Sequence, residues 1–459
     1  MPLMQLINLN CDEDIGASAW CVGIDGCRLL MDAGTHPKRD GNDSLPLYQE
    51  IRGESIDAIA LSHCHHDHVG SLPVAMREHP QAHVLMTELS YFLVERVLHN
   101  SVNVMKRQRE ELGIAEYPLF THREVDELAP VFQGFKYNRE VDWGAFERPG
   151  NESPTLEFYD AGHALGSAGI MVRGSKESLF YTGDVCFQDQ TILRGARFGD
   201  VKADVLVMET TRGNRATPPD LSREGEIARL MEAIREVQDG GGSVLIPSFA
   251  LGRTQEILAV LALAMKRGEL PRQPVYIGGL GRVFTEIYDL EAHRANRNHS
   301  NLSLNESLPL EVIDPRKAER MKLGKGRLFV MTAGMLSEGT AAHVLAARML
   351  EEEQHGILFV GYADPATPGG RLKASTPGET FFYSDTFGEL RHRCRVEQFD
   401  LTAHANREEL LDFVGEVEPR KVVLGHGDAE SREWFAGEIA QRHPGMKVFQ
   451  PAPGEALDL

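Results

Sequence analysis

Ala58-Ile59-Ala60-Leu61-Ser62-His63-Cys64-His65-His66-Asp67-His68-Val69-Gly70 sets an apolar run directly before a histidine-rich segment. Residues 57–62 form an apolar run of the kind that makes a strand buried on both faces. Four histidines and one aspartate then follow within six residues. Imidazole nitrogens and carboxylates suit zinc and similar divalent ions. In extended chain, residues two apart point the same way, so His63 and His65 can chelate one ion. Asp67 and His68, where the chain bends toward a helix over 71–78, can face a second ion. A polar surface loop is the competing reading. It leaves unexplained why so many ligand-type side chains stand directly after a buried strand.

One segment cannot close two metal sites, so further ligands must come from elsewhere. Asp160-Ala161-Gly162-His163-Ala164-Leu165-Gly166-Ser167 puts a histidine in a glycine-bracketed turn after a strand. Tyr181-Thr182-Gly183-Asp184 puts an aspartate at another strand end, and Gly425-His426-Gly427-Asp428 follows the apolar run 422–424. Each has the character of a loop at a sheet edge, where ligands usually sit.

The 459 residues suggest two or three domains. With 42% hydrophobic and 25% charged residues, the chain reads as globular rather than disordered. A net charge of −20 argues against a broad nucleic-acid-binding surface; any such site must be a local basic groove. Candidates are Arg316, Lys317, Arg320, Lys322, Lys325 and Arg327 within 314–327, together with Arg253, Arg282 and Arg371 beside strand ends. The longest apolar run, 257–265, is far short of the roughly 18 residues of a spanning helix, and no signal-peptide pattern opens the chain. No membrane association is expected. The six cysteines form no C-x-x-C pair and read as thiols of a reducing cytoplasm.

Short strands are predicted at 4–9, 19–24, 27–32, 57–62, 155–159, 169–172, 178–182 and 205–209, with helical patterns through 87–112. That pattern implies two sheets with helices outside them. After 211 the signal alternates. A helix carrying Ile227, Leu230, Met231, Ile234 and Val237 on one face is followed by strands at 244–247, 275–277, 328–332 and 357–361. Helices are predicted between them at 253–266 and 340–353. This is the pattern of βαβ units and a parallel, Rossmann-like sheet. No G-x-G-x-x-G follows its first strand, so dinucleotide binding is not expected. From 393 the chain reads strand, helix, strand, helix, strand and completes the first domain. The expected division is 1–211, an insert at 212–392, and 393–459.

The chain resembles the metallo-β-lactamase superfamily, which carries H-x-H-x-D-H after a strand and His, Asp and His in later loops. It is more specifically similar to the β-CASP nucleases, in which a second domain is inserted before the last part of the lactamase-like fold. The resemblance implies an α/β fold: a metallo-β-lactamase αββα sandwich with an inserted Rossmann-like β-CASP domain. It assigns His63, His65 and His163 to one metal, and Asp67, His68 and His426 to the other, with Asp184 bridging. Asp32, in Leu-Met-Asp-Ala-Gly, would support the ligands from behind. Glu209, His404 and His426 match the three β-CASP marks, and the stretches 246–256 and 332–343 also resemble the family. From these, Ser248 and Arg253 are candidate substrate contacts. The chain departs from the family at Asn406, at 278–282 and at 363–368, which bears on the substrate more than on the metal chemistry.

The function implied is hydrolysis of phosphodiester bonds in single-stranded RNA by a hydroxide activated on two divalent ions, zinc by ligand type. Asp67 and Asp184 serve the metals, and His404, oriented by Glu209, acts as general acid or phosphate contact. A DNA nuclease of the same fold is the alternative, as is a small ester or thioester hydrolase. Family members are often dimers, so the resemblance allows a homodimer, while the sequence itself leaves the oligomeric state open.

Overall fold

The computed structural model describes residues 4–144, 153–324 and 326–459; Lys325 of the basic run lies outside the described residues. The chain divides into two compact units. The first comprises Met1–Asp189, Gly195–Thr217 and His404–Leu459, the second Gln190–Arg194 and Pro218–Ala403.

In the first unit, two seven-stranded sheets carry the described strands. Met4–Asn8, Trp20–Ile24 and Cys27–Met31 run antiparallel; Ala58–Ala60, His83–Thr87 and Phe132–Phe135 continue the sheet in parallel, and Ala456–Asp458 closes its other edge. The second sheet runs Lys447–Phe449, Lys421–Gly425, Val205–Glu209, Ser178–Tyr181, Ala168–Arg173, Thr155–Asp160, Glu140–Asp142.

Alternation along the strands shows how the sheets stack. Val205 and Val207 join Leu156, Phe158, Ile170 and Val172 in a core shared with Leu6, Trp20, Val22, Leu29 and Met31 of the first sheet. Their neighbours Leu206 and Met208 point the other way, into a second core with Leu410, Phe413, Val414, Phe435 and Ile439. These last five lie on the helices Arg407–Val417 and Ala429–Arg442. Two sheets face to face with helices outside is the αββα layering expected from the sequence.

The second unit is built on six strands, all parallel, in the order Leu310–Val312, Val275–Ile277, Leu328–Met331, Val244–Pro247, Gly356–Phe359, Arg395–Gln398. Its helices include Arg223–Asp239, Arg253–Arg267 and Ala341–Leu350, with Leu230, Met231, Ile234 and Val237 buried as the periodicity requires. Its limits differ from 212–392 at both ends. The chain as far as Thr217 stays with the first unit: Asn214 N donates to Ser431 Oγ, and Thr217 Oγ1 to Glu408. Arg395–Gln398 pairs with Gly356–Phe359, so the first strand of the tail belongs to the second unit. The helix Gly279–Leu290 was not foreseen, because Gly278-Gly279-Leu280-Gly281 reads as a turn. No described helix is long and apolar enough to cross a membrane.

Gly425 is where core and site meet. It ends its strand directly before His426, and a Cβ there would stand 2.6 Å from Trp20 Cζ2, an indole atom locked in the core. Gly425→Ala should therefore cost about 1–3 kcal/mol through overpacking. Trp20→Phe should relieve part of it, so that the double variant is less destabilised than the two single losses added together. Denaturant midpoints of the four proteins check this.

Candidate metal centre

Four segments far apart in sequence bring their ligand-type side chains to one edge of the sandwich. The strand Ala58–Ala60 delivers His63 and His65; the one-turn helix His66–Val69 carries Asp67 and His68. His163 follows Thr155–Asp160, Asp184 follows Ser178–Tyr181, and His426 follows Lys421–Gly425. The His163 loop is drawn tight by Gly166, whose backbone lies in the left-handed region at φ +81°; a Cβ there would meet Ser90 N at 2.6 Å.

The seven side chains fall into the two groups expected from the sequence. His63, His65, His163 and Asp184 offer atoms within 4.8 Å of one another, as do Asp67, His68 and His426. In the first group, His63 Nε2 and His163 Nε2 stand 3.1 and 3.0 Å from His65 Nδ1. In the second, His68 Nε2 and His426 Nε2 are 3.2 Å apart, with Asp67 Oδ2 3.3 Å from the latter. Two nitrogens on one tetrahedral zinc at about 2.0–2.1 Å would be about 3.3 Å apart, so this crowding matches a ligand shell.

Asp184 joins the groups. Its Oδ2 lies 3.6 Å from both His63 Nε2 and His163 Nε2, whereas Oδ1 lies 3.4 Å from His68 Nε2 and 3.2 Å from His426 Nδ1. Oδ1 is buried and makes no hydrogen bond. A buried carboxylate oxygen left in that state is costly unless a cation completes it. The donor set and this orphaned oxygen both fit a pair of divalent ions.

Electrostatics act in the same direction. Burial, reinforced by the neighbouring imidazoles, drives His63 well below the ordinary histidine range, toward the neutral form that binds metals. Burial also opposes charge on His68 and His426, but the carboxylates outweigh it and raise both: Asp184, Asp32 and Asp67 for His68, Asp184 and Asp67 for His426. Asp67 and Asp184 go down despite burial. His68 leads the groups acting on the first, and His426 leads those acting on the second.

Behind the ligands stands Asp32, fully buried, with φ +62°. It accepts from Ser62 N and Oγ (both 2.7 Å), from Tyr181 OH (2.8 Å) and from His68 Nδ1 (2.8 Å). The last bond fixes the His68 tautomer, leaving Nε2 for a metal. Ser62 and Tyr181 went unremarked in the sequence because nothing local marks an ordinary strand residue as a partner of Asp32, about 30 and 149 positions away.

A third group joins this centre: Asp184, Glu209 and His404. His404 Nδ1 lies 3.0 Å from Glu209 Oε2, and Glu209 Oε1 accepts from Val185 N at 2.6 Å. The His404 ring sits 4.7 Å, centroid to centroid, from His163. Burial opposes its charge, but Glu209 outweighs that and raises its pKa.

Ser248 and Arg253 are not brought to this group; both lie in the second unit. Ser248 is buried, its Oγ 3.4 Å from Ile246 O. Arg253 is also buried and donates to Leu401 O at 2.5 Å and to the Gln190 side chain. Nearby, Glu256 accepts from Thr191 N, Ile192 N and Arg223. The stretch 246–256 thus clasps the segment Gln190–Arg194. Of the other basic residues, Arg327 bonds Tyr276 OH, Arg371 bonds Tyr383 O and Ala366 O, and Arg282 pairs with Glu286. Arg316, Lys317 and Arg320 line a surface cavity with Asp314 and Met321.

Comparisons with known proteins bear on the family of the chain. Residues 13–213 match the metallo-beta-lactamase superfamily, 254–372 the Beta-Casp domain, and 389–451 the Zn-dependent metallo-hydrolase RNA specificity domain. The chain is 28% identical over 449 residues to RNase aCSPSF2 of Saccharolobus solfataricus, covering 97% of this chain and 84% of the relative. It is 26% identical to endoribonuclease ysh1 of Emericella nidulans, and 25% identical to cleavage and polyadenylation specificity factor subunit 3 of Dictyostelium discoideum. It spans 53% and 56% of those two chains, about half their length. A crystal structure of a protein of unknown function from Enterococcus faecalis shares the fold, with TM-score 0.58 at 13% identity and 99% coverage of both chains.

Two outcomes follow. Asp32→Asn turns an amide NH2 toward donors and should weaken zinc binding about 10–100-fold, whereas Tyr181→Phe removes one neutral donor and should cost only about 1–2 kcal/mol of stability. Competition with a chromophoric chelator and thermal melts measure the two effects. Because the folded pKa values of His68 and His426 are raised, protons compete with metal from above the ordinary imidazole value of about 6.5. Zinc affinity of the stripped protein should therefore fall as pH drops through neutrality, with protons released on loading, which calorimetry in two buffers reads directly.

Proposed function

We propose, on the premise that the chain belongs to the β-CASP family of the metallo-β-lactamase superfamily, that it is a zinc-dependent ribonuclease cutting single-stranded RNA internally. The observation that carries the reading is the Glu209–His404 pair beside the two ligand groups that share Asp184. Hydrolysis of a small ester needs the metal groups alone; expulsion of a sugar oxygen from phosphorus also calls for a proton donor. The matched RNA specificity domain and the ribonuclease names of the relatives support RNA over DNA. The cysteines among the described residues are free thiols, which suits a reducing compartment, the cytoplasm being the simplest.

His63, His65 and His163 would hold one ion, Asp67, His68 and His426 the other, and Asp184 both. Bound there, such ions supply Lewis-acid polarisation of the phosphodiester and a nucleophile at neutral pH. His404 has its Nδ1 bonded to Glu209, which directs Nε2 as the proton-delivering atom. Glu209 keeps the imidazolium populated near neutral pH, so His404 hands a proton to the departing oxygen. Glu209 is itself aimed by Val185 N and by Thr182 Oγ1, which accepts from Glu209 N.

The test uses end-labelled RNA and DNA strands of one sequence. Chelator-sensitive internal cutting of RNA alone is expected. His404→Ala should lower kcat about 10²–10⁴-fold with metal content unchanged. Glu209→Gln removes the charge that raises the His404 pKa, so the alkaline limb of the pH–rate profile should move to lower pH. Cutting of DNA, or loss of metal in His404→Ala, would defeat the reading.

A further inference from the structure

A second cluster of ligand-type side chains lies in the first unit, apart from the groups around Asp184. It is built from two helices, Glu88–Leu112 and His122–Leu128. Glu95 and His99 are four residues apart on the first, and His122 and Asp126 four apart on the second, so each pair shares a helix face. His99 Nε2 lies 3.2 Å from Asp126 Oδ1 and 3.7 Å from Glu95 Oε1. The other nitrogen, Nδ1, lies 2.9 Å from His122 Nδ1. His122 Nε2 in turn lies 3.1 Å from Asn103 Oδ1.

The hydrogens along this chain can be placed by elimination. Asn103 Oδ1 only accepts, so His122 Nε2 carries the hydrogen. A neutral His122 then offers a lone pair at Nδ1, and His99 Nδ1 must donate to it. With Nδ1 donating, the second nitrogen of His99, Nε2, faces two carboxylate oxygens, where it carries either a proton or the lone pair that a metal ion would take. One positive centre, a proton on Nε2 or a bound cation, stands between that nitrogen and the two anionic oxygens.

We propose that Glu95, His99 and Asp126 bind a divalent cation of the zinc class, with His122 and Asn103 holding His99 in the ligating tautomer. Three ligand atoms within 4.8 Å come from two helices. Nitrogen and carboxylate donors together select zinc and its neighbours over magnesium or calcium. The relay from His99 to Asn103 is the kind of outer support that ligating imidazoles receive elsewhere. Glu95 and Asp126 remain partly exposed, with side-chain accessibilities of 43% and 66%, so water completes the coordination and exchange is fast.

Such an ion would tie the two helices together. The first of them starts at the main metal centre: Thr87 Oγ1 and Ser90 Oγ both donate to Gly166 O, in the loop that carries His163, at 2.8 and 2.9 Å. The cation would therefore steady one wall of that loop without touching substrate.

The experiment counts metal and does not depend on activity. The full chain is stripped with chelator, equilibrated with zinc buffered near 10 µM, freed of unbound ion and analysed by elemental mass spectrometry. His99→Ala and Asp126→Asn should each hold one ion fewer than the wild type. His122→Ala should retain the ion with about 10–100-fold weaker affinity. Asp126 is exposed, so its variant folds whatever becomes of His99→Ala. An unchanged count in Asp126→Asn, or full affinity in His122→Ala, overturns the proposal. Both comparisons hold however many ions the main centre takes.

Discussion

One buried carboxylate governs the first unit. Asp184 directs one oxygen at two imidazoles of one group and the other oxygen at two imidazoles of the second. Five histidines and two aspartates at 3–4 Å, five of the seven buried, is a costly arrangement for a protein by itself. It becomes favourable once cations replace the protons and the missing solvent. The fold must therefore assemble its ligands from four segments before the binding energy is available. It does so by anchoring each of them to a strand end of a well-packed sandwich.

Rigidity at those strand ends has identifiable sources. Trp20 fills the core so closely that only glycine is accommodated at 425, and His426 is thereby delivered at φ +47°. Asp32, also at positive φ, gathers three donor residues from two segments and so fixes His68 and the end of Ser178–Tyr181 in one network. Two non-glycine residues held in the left-handed region beside one centre are strain that the surrounding packing sustains.

The side chains that gather around Asp184 were legible in the sequence because their chemistry is rare and their positions regular: polar ligand types directly after apolar strands. The two-layer architecture was legible for a related reason, since periods of 2 and 3.6 report which faces are buried. Arg253 was not legible. A guanidinium beside a strand end looks the same in sequence whether it meets a phosphate or a carbonyl such as Leu401 O. Burial alone distinguishes the two, and burial comes from segments 148 and 63 residues away. Ser62 and Tyr181 escaped for the same reason. The helix Gly279–Leu290 was missed because tertiary packing around Phe284 and Tyr288 overrides the poor local propensity of three glycines.

The insert explains why Glu209 and His404 belong together. The chain leaves the first unit at Thr217 and returns at His404 after the excursion Pro218–Ala403. The hydrogen bond between Glu209 and His404 joins residues 195 positions apart, one shortly before departure and one at the point of return. Closing so long a loop has an entropic cost, but a slowly growing one, so a large insert is tolerated wherever its two ends are already held close. Here they are held by paired strands, Val205–Glu209 against Lys421–Gly425, and by Thr217 on Glu408. The same closure places an imidazole and its carboxylate beside the centre. The inserted unit contributes none of the seven side chains around Asp184; the chain departs for it shortly after Glu209 and rejoins the first unit at His404.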